Sequence, residues 1–367
     1  MSYCPKIIKI DSKKFYTTQP YSPRLENTIF SLTKKELLSK VKYQSQVVYD
    51  FLRDVDENRT LLDIYNNLSN ENISIGRRAK IKHWLELHGA LFYSLNILPD
   101  YKWISPVGQG SFSLAYLLKN RHKEDELRVI KISKNRIIKE QDRLLFNREI
   151  IILKKLCHPY IIKLFYHSIL ENEKFVYLTD YCNLGGLDEM LKEVADLTIG
   201  IRYKFLDNIV QALQYIHDKN IIHRDIKPAN IFLCGDNYED SFLIFKLGDF
   251  NLSRVIDNED CNLSFCGTKC YMAPEIIKKI KYDVRADLWS LMCVLIEMVG
   301  NKYINPISSN YQLLIQELID ITNLEKSIIY KLYKLDYTER CFSIDILELI
   351  EDNKPNILFT RKRSFSA

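Results

Sequence analysis

Residues 221–232 read IIHRDIKPANIF. Apolar Ile221-Ile222 and Ile231-Phe232 bracket a polar stretch that holds His223, Arg224, Asp225, Lys227 and Asn230. So many polar groups between buried strands cost free energy unless they are paired or carry chemistry. The chemistry available here is specific. Asp225 can accept a hydroxyl proton, Lys227 can neutralise a transferred phosphoryl group, and Asn230 offers a hard oxygen suited to Mg²⁺.

Downstream, 247–254 read LGDFNLSR, where Asp249 supplies a second hard-oxygen ligand. Upstream lies a Gly-rich turn, 107–115, VGQGSFSLA. Gly108 and Gly110 let the backbone approach a phosphate without a Cβ clash, and free N–H groups, that of Ser111 included, can then face the anion. Taken alone this turn reads more readily as a hairpin, and it is not a Walker loop because no Lys-Ser/Thr pair follows. Lys131, in the strand-like VIKI at 129–132, needs an anionic partner if it is buried. Glu149, in FNREIII on an amphipathic helical pattern, can supply one, and a purely structural salt bridge is the competing reading.

The ordered set GQGSFS, VIK, REI, HRDIKPAN, GDFN, APE (273–275) and DLWS (287–290) resembles the eukaryotic-type protein kinase domain over 101–352. Each piece is weak alone; the order and spacing together are specific. IKPAN resembles serine/threonine kinases, and CGTKCYMAPE resembles the group that includes the NIMA-related kinases, towards which the resemblance leans. The implied fold is two-lobed α+β, with a β-rich lobe at 101–180 and a helical lobe at 181–352.

The resemblance implies a serine/threonine kinase that uses ATP and Mg²⁺. In that reading Asp225 is the base and Lys227 its catalytic companion. Lys131 binds the phosphates and pairs with Glu149, while Asn230 and Asp249 hold the metal. Val107, Ala115, Val129 and Phe232 line the nucleotide pocket, Thr179 is the gatekeeper, and Asp180–Cys182 form the hinge. Glu275 pairs with Arg340, and Thr268 bonds Asp225 and Lys227. Ser264 matches an activation-loop phosphosite that Arg224 and Arg254 can clamp. The partners implied are proteins with Ser or Thr acceptors. Leu252 favours Ser, and Ala229, where basophilic kinases keep a Glu, argues against strong Arg selection.

Departures from the pattern are informative. Asn251 replaces the Gly that follows Asp-Phe, and Asn is the non-Gly residue that best tolerates positive φ. The expectation is a stiffer switch on an active site. Ser113 replaces the third Gly of the turn. Ala115 stands where the pattern has Val, and Val129 where it has Ala, a swap that keeps pocket volume. The alternative reading is a pseudokinase scaffold, but the set Lys131, Glu149, Asp225, Asn230 and Asp249 is complete.

Around this core, 1–32 reads as an irregular arm. The 33–98 region reads as a helical module in winged-helix-like order, and 353–367 as a basic tail. Arg77, Arg78, Lys80 and Lys82 raise a third option, a kinase targeted to DNA or chromatin. A basic helix is more often a solvated face or a brace, so a protein or intramolecular contact is preferred over nucleic acid. The net charge of +5 is no nucleic-acid footprint by itself, and no apolar run has membrane-spanning length. The nine cysteines show no C-x-x-C pair. Free thiols in an intracellular protein, cytoplasmic or nuclear, are the expectation.

Overall fold

The computed structural model describes Phe51 and residues 73–81, 98–109, 113–134, 140–170, 174–194, 196–236, 243–256, 268–300, 316, 318 and 320–360. The chain divides into two units, Met1–Ser105 and Pro106–Ala367. In the first, 75–81 is helical, and the Ser74 hydroxyl accepts from Arg77 N at 3.4 Å as a cap. This stretch falls within the third helix expected there. The rest of the 33–98 module, but for Phe51, 73–74 and Leu98, and all of the 1–32 arm lie outside the described residues.

Five strands form one sheet: β1 (Tyr101–Gln109), β2 (Ser113–Asn120), β3 (Leu127–Ser133), β4 (Leu164–Ile169) and β5 (Phe175–Asp180), in the order β1-β2-β3-β5-β4. Along β2, Leu114, Tyr116 and Leu118 are buried and alternate with less buried neighbours, the period of a pleated strand. The antiparallel register sets Ala115 opposite Lys131, Lys131 opposite Tyr177, and Val129 opposite Thr179. Ala115, Val129, Lys131, Tyr177 and Thr179 therefore share one face of the sheet. The β2–β3 turn is closed by Asn120, whose Oδ1 accepts from His122 N at 2.8 Å and Lys123 N at 3.1 Å. Helix α1 (Glu140–Lys155) carries Glu149 among buried Ile150, Ile152 and Leu153.

Helices dominate thereafter: α2 (Leu187–Glu193), α3 (Ile199–His217), α4 (Pro274–Ile277), α5 (Arg285–Gly300), α6 (Asn323–Leu332) and α7 (Ser343–Thr360). This is the α+β sequence of strands followed by helices that the pattern predicts. Helix α5 is buried nearly all round, as a core helix must be, with Trp289 and Leu291 to Ile296 inside. Thr322 and Glu325 cap α6 reciprocally at 3.2 and 2.8 Å, and Glu325 also takes buried Arg202 at 2.7 Å. Helix α7 runs through Thr360, so 353–360 is helical where a tail was expected. Two small ladders complete the fold: β6 (Ile221–Ile222) with β9 (Arg254–Val255), and β7 (Ile231–Cys234) with β8 (Ile244–Leu247).

Candidate active site

The polar stretch of 223–230 runs between β6 and β7, and one buried carboxylate anchors it. Asp287, at the start of α5, accepts from His223 N and Arg224 N, each at 2.8 Å, and meets His217 Nε2 at 3.1 Å. Burial works to raise the Asp287 carboxyl, but these donors win and it lies below its ordinary range. His223 is fully buried, with Asp225 N donating to its Nδ1 at 3.3 Å. That hydrogen bond assigns the ring proton to Nε2, which donates to Gly248 O at 3.1 Å. Arg224 takes a φ of 70°, a strained conformation for a non-glycine residue.

Asp225 is held from three sides. Its Oδ2 accepts from Lys227 Nζ at 2.7 Å and from Asn230 Nδ2 at 3.0 Å. Its Oδ1 accepts from Thr268 N at 3.0 Å and Thr268 Oγ1 at 2.9 Å, while Lys227 donates to that same hydroxyl at 2.9 Å. Burial works to raise the Asp225 carboxyl; the Lys227 hydrogen bond and charge, with Thr268 behind them, bring it below the ordinary carboxylate range. It is an anion at neutral pH.

Asn230 reaches Asp225 through its amide nitrogen, at the carbonyl (2.8 Å) as well as the carboxylate. Its Oδ1 is the atom left to present to a cation. Gly248 N donates to Asn230 O at 2.9 Å, which sets Asp249 beside Asn230 at the ends of β7 and β8. An amide oxygen and a carboxylate held together on adjacent segments fit Mg²⁺.

The left-handed conformation falls on Asp249, at φ 60°, and Asn251 is not among the positive-φ residues. The tolerance of Asn for positive φ therefore does not account for Asn251. Its side chain has another role: Asn251 Nδ2 donates to Asp249 Oδ1. Gly248 was not singled out by the motifs, yet a Cβ there would meet Ile162 Cγ1 and Phe232 Cε2, each at 2.8 Å.

Lys131 lies 5.7 Å from the Tyr177 ring centroid and 5.9 Å from that of Phe232. Among the described residues no ion pair closes between Lys131 and Glu149, in contrast to the expected contact. Glu149 Oε1 instead accepts from Tyr177 OH at 3.4 Å. Burial pushes the Glu149 carboxyl up to about 7, opposed by the nearby Lys131 charge and reinforced by Asp249. With its pKa near 7 the carboxyl is only partly ionised at neutral pH, which weakens its pull on the ammonium.

On the same sheet face, Val129 and Thr179 are buried, and Thr179 Oγ1 reaches Val129 O at 3.5 Å. In the segment expected as the hinge, Asp180 Oδ2 accepts from Lys246 Nζ at 2.8 Å and Lys163 N at 3.1 Å. Val107 and Gly108 are exposed; Gly110 and Ser111 lie outside the described residues, as does Ser264. Arg224 Nε donates to Leu252 O at 2.6 Å, and Arg254 sits opposite Ile222 in the β6–β9 ladder. The expected Glu275–Arg340 pair is present at 2.7 Å, fully buried.

Beside Lys227 opens a cleft of ≈ 260 Å³, lined by Asp188, Lys192, Ala229, Tyr271 and Glu297. Its carboxylates are engaged, Asp188 by Lys192 at 3.5 Å and Glu297 by Tyr271 OH at 2.7 Å.

A family model described as the protein kinase domain matches residues 101–353. The serine/threonine-protein kinase ATG1a of Arabidopsis thaliana is 34% identical over 210 residues, 57% of this chain and 33% of that protein. ULK1 of Homo sapiens is 34% identical over 200 residues, 53% of this chain and 19% of that protein. Nek11 of Homo sapiens is 34% identical over 199 residues, 52% of this chain and 30% of that protein. The chain thus spans a third or less of the length of these relatives. The Nek match agrees with the leaning towards NIMA-related kinases; the ATG1 and ULK1 matches add a group the motifs did not point to.

Proposed function

The chain belongs to the protein kinase family, and from that premise we propose that it transfers the γ-phosphate of ATP to Ser or Thr hydroxyls of proteins. The observation that carries the reading is the Asp225 carboxylate, ionised and held by Lys227, Asn230 and Thr268.

In the proposed reaction the acceptor hydroxyl lies against Asp225, which takes its proton as the oxygen attacks the γ-phosphorus and the bond to ADP breaks. Lys227, in contact with Asp225 and Thr268, is placed to turn its ammonium towards the transferred phosphoryl. Lys131 meets the phosphates from the sheet, and Ala115, Val129, Thr179 and Phe232 flank the base, with the backbone of Asp180–Cys182 along its edge. Asn230 and Asp249 would hold Mg²⁺, which when bound offsets the phosphate charge. The cleft at Ala229 receives polypeptide flanking the acceptor. Because Asp188 and Glu297 already have partners, it exerts no strong demand for Arg.

The test is transfer of labelled phosphate from Mg-ATP to a generic Ser/Thr substrate and to the protein itself, wild type against Asp225→Ala. Transfer lost in the variant is the expected result. No transfer by folded wild type, before or after phosphorylation of the 257–267 segment that holds Ser264, would move the reading to a scaffold.

A further inference from the structure

The segment leaving β5 is zipped to the end of β7. Leu184 N donates to Leu233 O at 3.1 Å, and Leu233 N donates to Gly185 O at 2.9 Å. Beyond them, the Asn183 side chain brackets Gly235, donating to its carbonyl at 2.5 Å and accepting from its N–H at 3.2 Å. Beside these anchors two thiols meet. The Cys182 and Cys234 sulfurs lie 2.9 Å apart, 52 positions apart in sequence, and both side chains are half-buried.

We propose that Cys182 and Cys234 form an oxidisable thiol pair that closes to a disulfide under hydrogen peroxide and so ties the outgoing end of β5 to the end of β7. The anchors beside them hold the sulfurs in register, and they need approach by less than ~1 Å to reach bonding distance. The contact itself makes the two thiols unlike. It pushes Cys182 up and draws Cys234 down; burial opposes the second shift and the Lys246 ammonium supports it. Cys234 is thus the attacking sulfur, because the thiolate is the nucleophile.

In the first step the Cys234 thiolate attacks a peroxide oxygen. An S–O bond forms, the O–O bond breaks, and the departing hydroxide takes a proton to leave as water. In the second step the Cys182 sulfur attacks the Cys234 sulfenic acid, the S–S bond forms, and the S–O oxygen leaves as a second water carrying the Cys182 proton. Two thiols are oxidised and one peroxide is reduced. A dithiol reductant reverses the bond by exchange.

The bond does not depend on catalysis, and the proposal stands apart from the hinge reading of Asp180–Cys182. The test uses the full chain, reduced and then titrated with hydrogen peroxide, alkylated, and digested without reductant for mass spectrometry. The expected result is a peptide linking Cys182 to Cys234, released by dithiothreitol. In Cys182→Ser a dimedone tag should appear on Cys234; in Cys234→Ser no tag should appear on Cys182. The proposal is overturned if the linked peptide is absent while exposed Cys157 and Cys270 are already oxidised, or if either cysteine pairs elsewhere. A tag on Cys182 in place of Cys234 overturns the assigned order of attack. Should a serine variant fail to fold, the wild-type linkage still decides. Because the peptide is read without turnover, loss of kinase activity in every sample would count against the proposed function and not against the bond.

Discussion

Thr268 gives both its backbone N–H and its hydroxyl to one oxygen of Asp225, at 3.0 and 2.9 Å, while receiving Lys227 at 2.9 Å. The hydroxyl is the bridge by which Thr268 orients Asp225, the proposed base, and Lys227. Thr268→Ala removes that bridge but leaves the backbone contact. A hydrogen bond to a charged group contributes ~1.5–3 kcal/mol, so kcat should fall about 10- to 100-fold. The KM for ATP should hold, and Thr268→Ser should restore most of the rate. Steady-state kinetics on the three proteins decide it, and a Ser variant as slow as the Ala one would remove the bridge from the account.

Asn251 grips Asp249, yet the strained φ belongs to Asp249. Asn251→Gly therefore frees a carboxylate oxygen without relieving backbone strain. Activity should change by less than ~100-fold, equivalent to ~2.7 kcal/mol, and the Mg²⁺ concentration for half-maximal rate should drop. A Mg²⁺ titration of both proteins reads this directly; an unaltered midpoint would show that the Asn251 contact is irrelevant to the metal.

Glu149 links pH to stability. Burial first, with Asp249 adding to it against Lys131, moves its carboxyl from 4.5 to about 7. The folded protein thus holds a proton that the unfolded chain releases. The resulting stabilisation is complete below pH 4.5 and is lost as pH rises to about 7. It amounts to on the order of 3 kcal/mol. Glu149→Gln cannot lose that proton, so its urea midpoint should fall less than that of the wild type between pH 5 and 8, in metal-free protein. Parallel curves would be incompatible with a raised Glu149.

Arg340 meets Glu275 at 2.7 and 3.3 Å with both side chains essentially sealed from water. Removing one partner leaves a buried charge, which typically costs 3–5 kcal/mol. Arg340→Ala should lose about that much in urea unfolding. The double variant Arg340→Met/Glu275→Gln should recover part of it, because neither side then strands a charge. If the single and double variants were equally unstable, the cost would lie in packing against Trp289 instead, whose ring is 5.2 Å from the guanidinium.

Gly248 lies against the side chains of Ile162 and Phe232. A methyl group at 2.8 Å from both Ile162 and Phe232 must displace one of them. Gly248→Ala should cost ~1–3 kcal/mol in stability, the usual range for overpacking. It should also raise the KM for ATP more than it lowers kcat, since Phe232 rather than Asp225 moves. A kcat defect with unchanged KM would put the damage at Asp249.

The strands, the main helices and most of the constellation were legible because each rests on local pattern. VIKI is β-branched at three of its four positions, FNREIII turns at helical spacing, and HRDIKPAN packs its polar groups within a few residues. The partners that complete them come from far along the chain, where no local signal exists. Asp287 reaches His223 across 64 positions, and Tyr177 reaches Glu149 across 28. Gly248 matters for what surrounds it, which spacing cannot reveal. Strand β4, LFYHSI, lacks clean alternation and carries a register shift at Leu164/Tyr166, so it gave little to read. For Asn251 the residue was noticed and the reason misplaced, because φ at one position depends on how its neighbours are held.

The register that puts Ala115, Val129, Lys131, Tyr177 and Thr179 on one face also restricts how the chain can change length. Side chains alternate with a period of two, so losing a single residue within β3 ahead of Lys131 sends every later or every earlier side chain of the strand to the opposite face. The 121–126 turn carries no such parity, because residues added at its tip extend a loop whose ends are already tied at Asn120 and Glu126. Insertions in this lobe are therefore tolerable at the tip of the turn, whereas a single insertion or deletion inside β3 ahead of Lys131 amounts to loss of Lys131 without any change in its identity.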